Sequence, residues 1–246
     1  MAASVTTSVG VGSVTPATTV ETASFTPTGA NKVLFVLVGS GATAPNAPTA
    51  VKYASAAGVG GESLTLLDSV RIINTNVKTS VWRLIGPVAA SGTLHATYGG
   101  TDDERWIDGV AVQDANGTTG TIAYATANGS TAVTTAAVTT SGGLILSFVS
   151  ILSGSGGTPL LTSGQTSIKE LEGATAGPNG IGINEAAGTE STVASGTSTA
   201  MTWTISIPAD WGQHAFQVNA FSASGAVSLP DLLNPIGRRI APLLNY

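Results

Sequence analysis

The chain has 246 residues, with nine Lys and Arg against fourteen Asp and Glu for a net charge of −5, and only 9% of it is charged. So few basic residues leave no face for counterion release from a phosphate backbone, which argues against nucleic acid as a partner. The absence of cysteine removes thiol catalysis, disulfides and thiolate metal sites together, and 42% hydrophobic residues with low net charge is the reverse of a disordered composition.

The opening MAASVTTSVG has neither a basic n-region nor an apolar h-region, so no signal peptide is expected. Short β-branched runs then follow, punctuated by Gly, Pro and Asn-Gly, the pattern of an all-β sandwich. Strands are predicted near 4–9, 18–26, 32–38, 62–72, 77–85, 92–98, 106–113, 119–125, 132–139, 143–151, 181–185, 199–207 and 214–223. VLFVLV (33–38) and LILSFVSIL (144–152) are apolar on both parities, so each should lie centrally or be covered on its second face by loops or a neighbouring subunit. Both are far too short to span a membrane as a helix.

Asn116-Gly117, Asn128-Gly129 and Asn179-Gly180 predict tight hairpin turns and therefore antiparallel pairing. Segment 153–180 reads as an irregular surface excursion. In TAMTWTISIP, Met201, Trp203, Ile205 and Ile207 should face one way and Thr202, Thr204 and Ser206 the other. No repeat and no helix of ten or more residues is expected. Residues 1–225 read as one antiparallel sandwich domain, followed by a short irregular C-terminal tail, 226–246.

Catalytic groups are sparse. His95 and His214 stand in or beside strands with no carboxylate at motif spacing and read as structural; no serine stands in a G-x-S-x-G elbow, and the Gly-x-Gly pairs lack the third glycine of a dinucleotide site. No cofactor is expected. Asp102, Asp103, Glu104 and Asp108 form one acidic cluster, but their spacing fails a calcium-loop pattern, so a solvated turn is expected rather than a metal site. The sequons at Asn116 and Asn128 are by-products of Asn-Gly turns. Trp82 and Trp203 read as core anchors, whereas Trp106 and Trp211, beside acids at strand edges, are candidates for stacking against a glycan.

The order of SVTTSVG (4–10), KVLFVLVG (32–39), SVWRLIGPVAASGTLHATY (80–98), DGVAVQDA (108–115), GGLILSFVS (142–150), SGQTSIKEL (163–171) and SGTSTAMTWTISIPADWGQHAFQVNAFSA (195–223) resembles a jelly-roll β-sandwich module of tailed-bacteriophage virion proteins. The resemblance implies a jelly-roll-like sandwich without catalysis. It suits a capsid decoration or cement protein, a head fibre, or a carbohydrate-binding tail-fibre or bacterial surface adhesin. It also implies a virion location after synthesis in a host cytoplasm, with other virion proteins as partners.

Residues 226–246 lie outside that module. Pro230, Pro235 and Pro242 break the tail, excluding a long amphipathic helix. An extended anchor in a groove of another subunit is expected, with Leu229, Leu232, Leu233, Ile236, Ile240, Leu243 and Leu244 as apolar knobs and Arg238 and Arg239 as ion-pair partners. A homo-oligomer is expected too. A trimer is one arrangement that covers an apolar outer face such as that of LILSFVSIL.

Overall fold

A computed structural model of the chain describes residues 3–13, 15–54, 59–74, 76–140, 143–152, 161–163, 166–171, 179–184 and 197–221. The strands are β1 (Ser4–Ser13), β2 (Ala17–Glu21), β3 (Val33–Gly41), β4 (Pro48–Tyr53), β5 (Glu62–Ser63), β6 (Thr65–Leu66), β7 (Arg71–Asn74), β8 (Val77–Ile85), β9 (Leu94–Asp102) and β10 (Glu104–Gln113). They continue with β11 (Ala115–Thr119), β12 (Ala123–Thr134), β13 (Val138–Thr140), β14 (Gly143–Leu152), β15 (Leu161–Ser163), β16 (Thr166–Leu171), β17 (Asn179–Asn184), β18 (Thr197–Thr199) and β19 (Thr202–Ala220). The protein is an all-β, antiparallel sandwich, and no helix occurs among the described residues.

Three sheets stack. The middle one runs β1-β10-β3-β8-β6, with β7 also on β8. One outer sheet runs β2-β9-β4-β5; the other runs β11-β19-β14-β17-β16, with β12 and β15 also on β19. A small β13-β18 pair completes the strands.

The doubly apolar run in β3 follows from this stacking. Val33, Phe35 and Leu37 face the β19/β14 sheet, where Phe35 meets Phe216 at 5.3 Å between ring centroids, and Phe216 in turn meets Phe148 at 6.2 Å. Leu34, Val36 and Val38 face Val51, Tyr53, Leu94 and Ala96 of the β9/β4 sheet. Every residue of β3 is buried. At about 1.5–3 kcal/mol per large apolar side chain, this strand holds both interfaces at once.

β14 is covered on both faces as well. Leu144, Leu146 and Phe148 join the core shared with the middle sheet. On the opposite face, Val149 and Ile151 pack with Val133, Trp203, Ile205 and Trp211, and Ile145 packs with Val138, Met201 and Ala215. The alternation predicted for TAMTWTISIP holds, with Met201, Trp203 and Ile205 buried, Thr204 and Ser206 exposed, and Ile207 partly covered.

Elsewhere the strands depart from expectation. The two predicted over 199–207 and 214–223 are one strand, β19; Pro208 is absorbed in a bulge, where Ser130 pairs Ala209 and Ala132 pairs Thr204, so the residue lacking an N–H sits where the ladder is interrupted. None of the three Asn-Gly pairs closes a two-residue hairpin. Gly117 (φ 78°) and Gly129 (φ 60°) lie within register shifts of β11 and β12, and Asn179-Gly180 is paired inside β17. Positive φ serves a bulge as well as a turn, which is why the dipeptide misleads. Segment 153–180 is not wholly irregular, since it contains β15 and β16. β4, which starts at Pro48, was not anticipated at all.

Candidate functional site

At one end of the stack lies Phe221, the last described residue. The Phe221 amide donates to the Asp114 carbonyl at 2.6 Å, the Asp114 amide to Ala30 O at 2.9 Å, and the Ala115 amide to Asn31 O at 3.2 Å. The Asn31 side-chain amide reaches Asp114 Oδ1 at 3.4 Å. Asn31 (φ 46°) and Asp114 (φ 51°) adopt the left-handed conformation that lets these two reversals interlock, and both are residue types that tolerate it.

Ile85 belongs to the same end, because Val33 pairs with both Ile85 and Val112. Its side chain lies against Gly117, where an added Cβ would come within 2.5 Å of Ile85 Cδ1, and Arg83 donates to the Gly117 carbonyl. Yet Ile85 is 54% exposed and Val88, three residues on, is 86% exposed. The Glu62 carboxylate fixes the Val88 loop by accepting from the amides of Val88 (2.9 Å) and Ala89 (3.1 Å). This end therefore presents aliphatic side chains on braced backbone.

The opposite end is acidic and inward-turned. Asp102 is fully buried and its Oδ1 accepts from the Asn46 amide (2.9 Å) and side chain (2.8 Å), while Ser40 Oγ donates to Asn46 O at 2.6 Å. Arg105, also buried, donates to the carbonyls of Asp102 and Thr15. Asp108 is buried too, on the face of β10 that carries Trp106 and Val110. Glu104 is half-buried, and burial first, then the charge of Asp103, raises its carboxyl above the usual value. A solvated turn is therefore the wrong description of this cluster: only Asp103 is exposed, and Asp102 is tied to the 42–47 loop through Asn46. Among the described residues no three His, Asp or Glu side chains gather as metal ligands.

The candidate glycan platform is corrected by burial. Trp106 is 1% exposed and donates from Nε1 to Ser150 Oγ across the sheet interface at 3.1 Å; Trp211 is 4% exposed within the outer core. Neither offers a ring face to a sugar. Adjacent acids suggested a strand edge, but both tryptophans occupy inward positions of paired strands. Trp82 and Trp203 are core residues as expected.

His214 is the one histidine with a chemically interesting neighbour. Its Nε2 lies 3.0 Å from Thr79 Oγ1, and its ring lies 4.9 Å from that of Tyr124, beneath Arg71, which pairs with Asp68 at 2.7 Å and stacks over Tyr124 at 5.4 Å. A hydroxyl beside an imidazole is the pairing an activated nucleophile needs. Here both are fully buried between two sheets, and desolvation pushes the imidazole down to about 3, against the opposing pull of Asp68, so it is neutral and acts as a structural hydrogen-bonding group. Sequence spacing could not have found this pair, whose members are 135 residues apart. His95 is buried on β9, between Glu21 and Lys52 in register.

The tail residues Leu229, Leu232, Leu233, Ile236, Arg238, Arg239, Ile240, Leu243 and Leu244 lie outside the described residues. No protein-family model matches the chain, and no curated protein matches it in sequence.

Proposed function

We propose that the protein is a non-enzymatic structural component of a bacteriophage virion, a capsid decoration or cement protein or a head fibre, attached through residues 226–246. One observation carries this reading: the described cores are packed from residues Ala3 to Ala220, and the chain is then pinned at Phe221 on the end that exposes Ile85 and Val88. Five leucines and two isoleucines follow, with a full sandwich already behind them. Burying several of them at about 1.5–3 kcal/mol each, before ordering costs, is enough to tether the body to a shell, and many copies on a symmetric particle multiply the effect. The order of strand and turn landmarks shared with jelly-roll virion modules supports the same reading. The adhesin alternative has lost the two indole faces on which it rested.

The test uses the full chain carrying Leu232→Asp, Leu233→Asp and Ile236→Asp. The variant should keep the β-sheet circular dichroism and thermal midpoint of the unmodified chain and fail to co-sediment with the particle. Undiminished incorporation would sink the anchor.

A further inference from the structure

We infer that β1 is a self-association edge, at which two copies of this chain pair antiparallel and join their middle sheets into one. The inference is independent of the tail and holds whatever the tail binds.

β1 is the terminal strand of the middle sheet, hydrogen-bonded to β10 on one side, and no described strand pairs with its other side. An open edge exposes a row of backbone donors and acceptors, which proteins ordinarily guard with charges, prolines, bulges or brevity. Among the described residues the other edges are guarded in those ways, and β5, β13, β15 and β18 are only two or three residues long. β2 carries Glu21 and a register shift, β6 is two residues long, β7 carries Arg71 and a shift, β16 carries Lys169, Glu170 and a shift, and β11 and β12 are interrupted by their Asn-Gly bulges.

β1, SVTTSVGVGS, contains no charged residue and no proline. Its single irregularity lies at Val5/Thr7, after which Thr7–Ser13 runs in unbroken register against Ala111–Arg105. That bulge also exchanges faces: Val5 packs into the core shared with the β19/β14 sheet, whereas Val9 and Val11 pack toward the β9/β4 sheet. The Thr6 and Thr7 hydroxyls donate to the carbonyls of Thr28 and Thr26, so the 26–28 segment crosses the start of the edge, and among the described residues no strand pairs with the outer side of Ser8–Ser13.

The chemistry that fits such an edge is another extended backbone, and three features select a second β1. An uncharged strand does not repel its own copy. Antiparallel pairing about a two-fold axis is self-complementary, as an isologous interface requires. With Gly10 on the axis, Val9 falls opposite Val11 of the partner subunit in both directions, giving β-branched cross-strand pairs on the face toward the β9/β4 sheet. On the other face Ser8, Gly10 and Gly12 add no bulk to hinder approach.

The experiment is sedimentation velocity of the full chain at micromolar concentrations, with hydrogen exchange read at the amides of residues 8–13 that point away from β10. The unmodified chain should dimerise and protect these amides. A Ser8→Lys, Gly12→Lys variant sets like charges opposite each other and should weaken association by roughly tenfold or more. Mixing it with a Ser8→Glu, Gly12→Glu variant should restore a mixed dimer. Should the double variants fail to fold by circular dichroism, Gly10→Lys alone sets two lysines opposite each other across the two-fold axis. A monomer at every concentration overturns the inference, as does a dimer indifferent to the lysines. Protection in a monomer of those amides of residues 8–13 that point away from β10 overturns it too, since the chain then covers its own edge.

Discussion

His214 ties stability to pH in a direction that can be worked out. Its ring is fully buried between two sheets, with Thr79 at one nitrogen, Tyr124 against its face, and Asp68 and Arg71 acting from farther out with opposite signs. Desolvation dominates and lowers its pKa from 6.5 to about 3. Above about pH 6.5 the ring is neutral in both folded and unfolded chains. As pH falls below that value the unfolded chain takes up a proton that the folded chain refuses, so stability is lost at up to about 1.4 kcal/mol per pH unit. The loss reaches about 2 kcal/mol at pH 5, and about 4–5 kcal/mol once pH approaches the folded value of about 3. Urea unfolding at pH 7 and pH 5 should be compared between the unmodified chain and His214→Gln, whose amide can still meet Thr79 but cannot titrate. Carboxylate effects, including the opposite-signed one of Glu104, are common to both proteins and cancel in the difference. The unmodified chain should lose about 2 kcal/mol more than the variant over that interval. Equal losses, or an imidazole proton resonance titrating near 6.5 in the folded protein, would refute the reasoning.

Four further substitutions probe the packing. Gly39→Ala places a Cβ 2.2–2.4 Å from the rigid, buried Trp106 indole and should cost about 1–3 kcal/mol by chemical denaturation, while Gly99→Ala, which meets only Thr49 Cγ2 at 3.6 Å, should stay within about 0.5 kcal/mol. Ser147→Ala removes the acceptor for Gln213 Nε2 (2.7 Å) and Trp203 Nε1 (3.4 Å) in a dry core, and about 1–3 kcal/mol should be lost in the same assay. Asp102→Ala strips two hydrogen bonds from Asn46 and should destabilise by a similar ~1–3 kcal/mol, with faster amide exchange at Asn46 as the local signature.

The fold class was legible because period-two alternation and β-branched composition are local properties that survive any arrangement of sheets. VLFVLV even announced a strand with no solvent face. What could not be read was which segments share a strand. Pro208 looks like a terminator unless its bulge partner, eighty residues away on β12, is known. Asn116-Gly117 and Asn128-Gly129 look like hairpins for the same reason: the need for positive φ is local, but whether a turn or a bulge meets it is set by the strand opposite. The candidate site fared worse. Acidic sequence neighbours made Trp106 and Trp211 look like edge residues, although Asp210 lies on the other face of β19 from Trp211, and Asp108, on the same face of β10 as Trp106, is itself buried. The Thr79–His214 pair and the exposed Ile85 and Val88 depend wholly on tertiary placement.

The stacking also changes what assembly has to accomplish. A threefold bundle was attractive because the second face of LILSFVSIL needed cover. That face is covered within the chain: Ile145 by Met201 and Val138, and Val149 and Ile151 by Trp203, Ile205 and Val133. The demand for a neighbour therefore does not arise from sheet faces. Among the described residues the exposed large apolar side chains are Val59, Leu66, Ile85 and Val88, and β1 adds an uncharged strand edge. These differ in what they can select. Aliphatic knobs are non-directional and suit a tail-mediated hold on a large surface, whereas a backbone ladder fixes register and direction and suits pairing between copies. A protein using both would dimerise through one edge and dock through one end. On the proposed virion role, mutations at Ser8 and Gly12 should then change its stoichiometry on a particle, and mutations at Leu232 and Leu233 its occupancy.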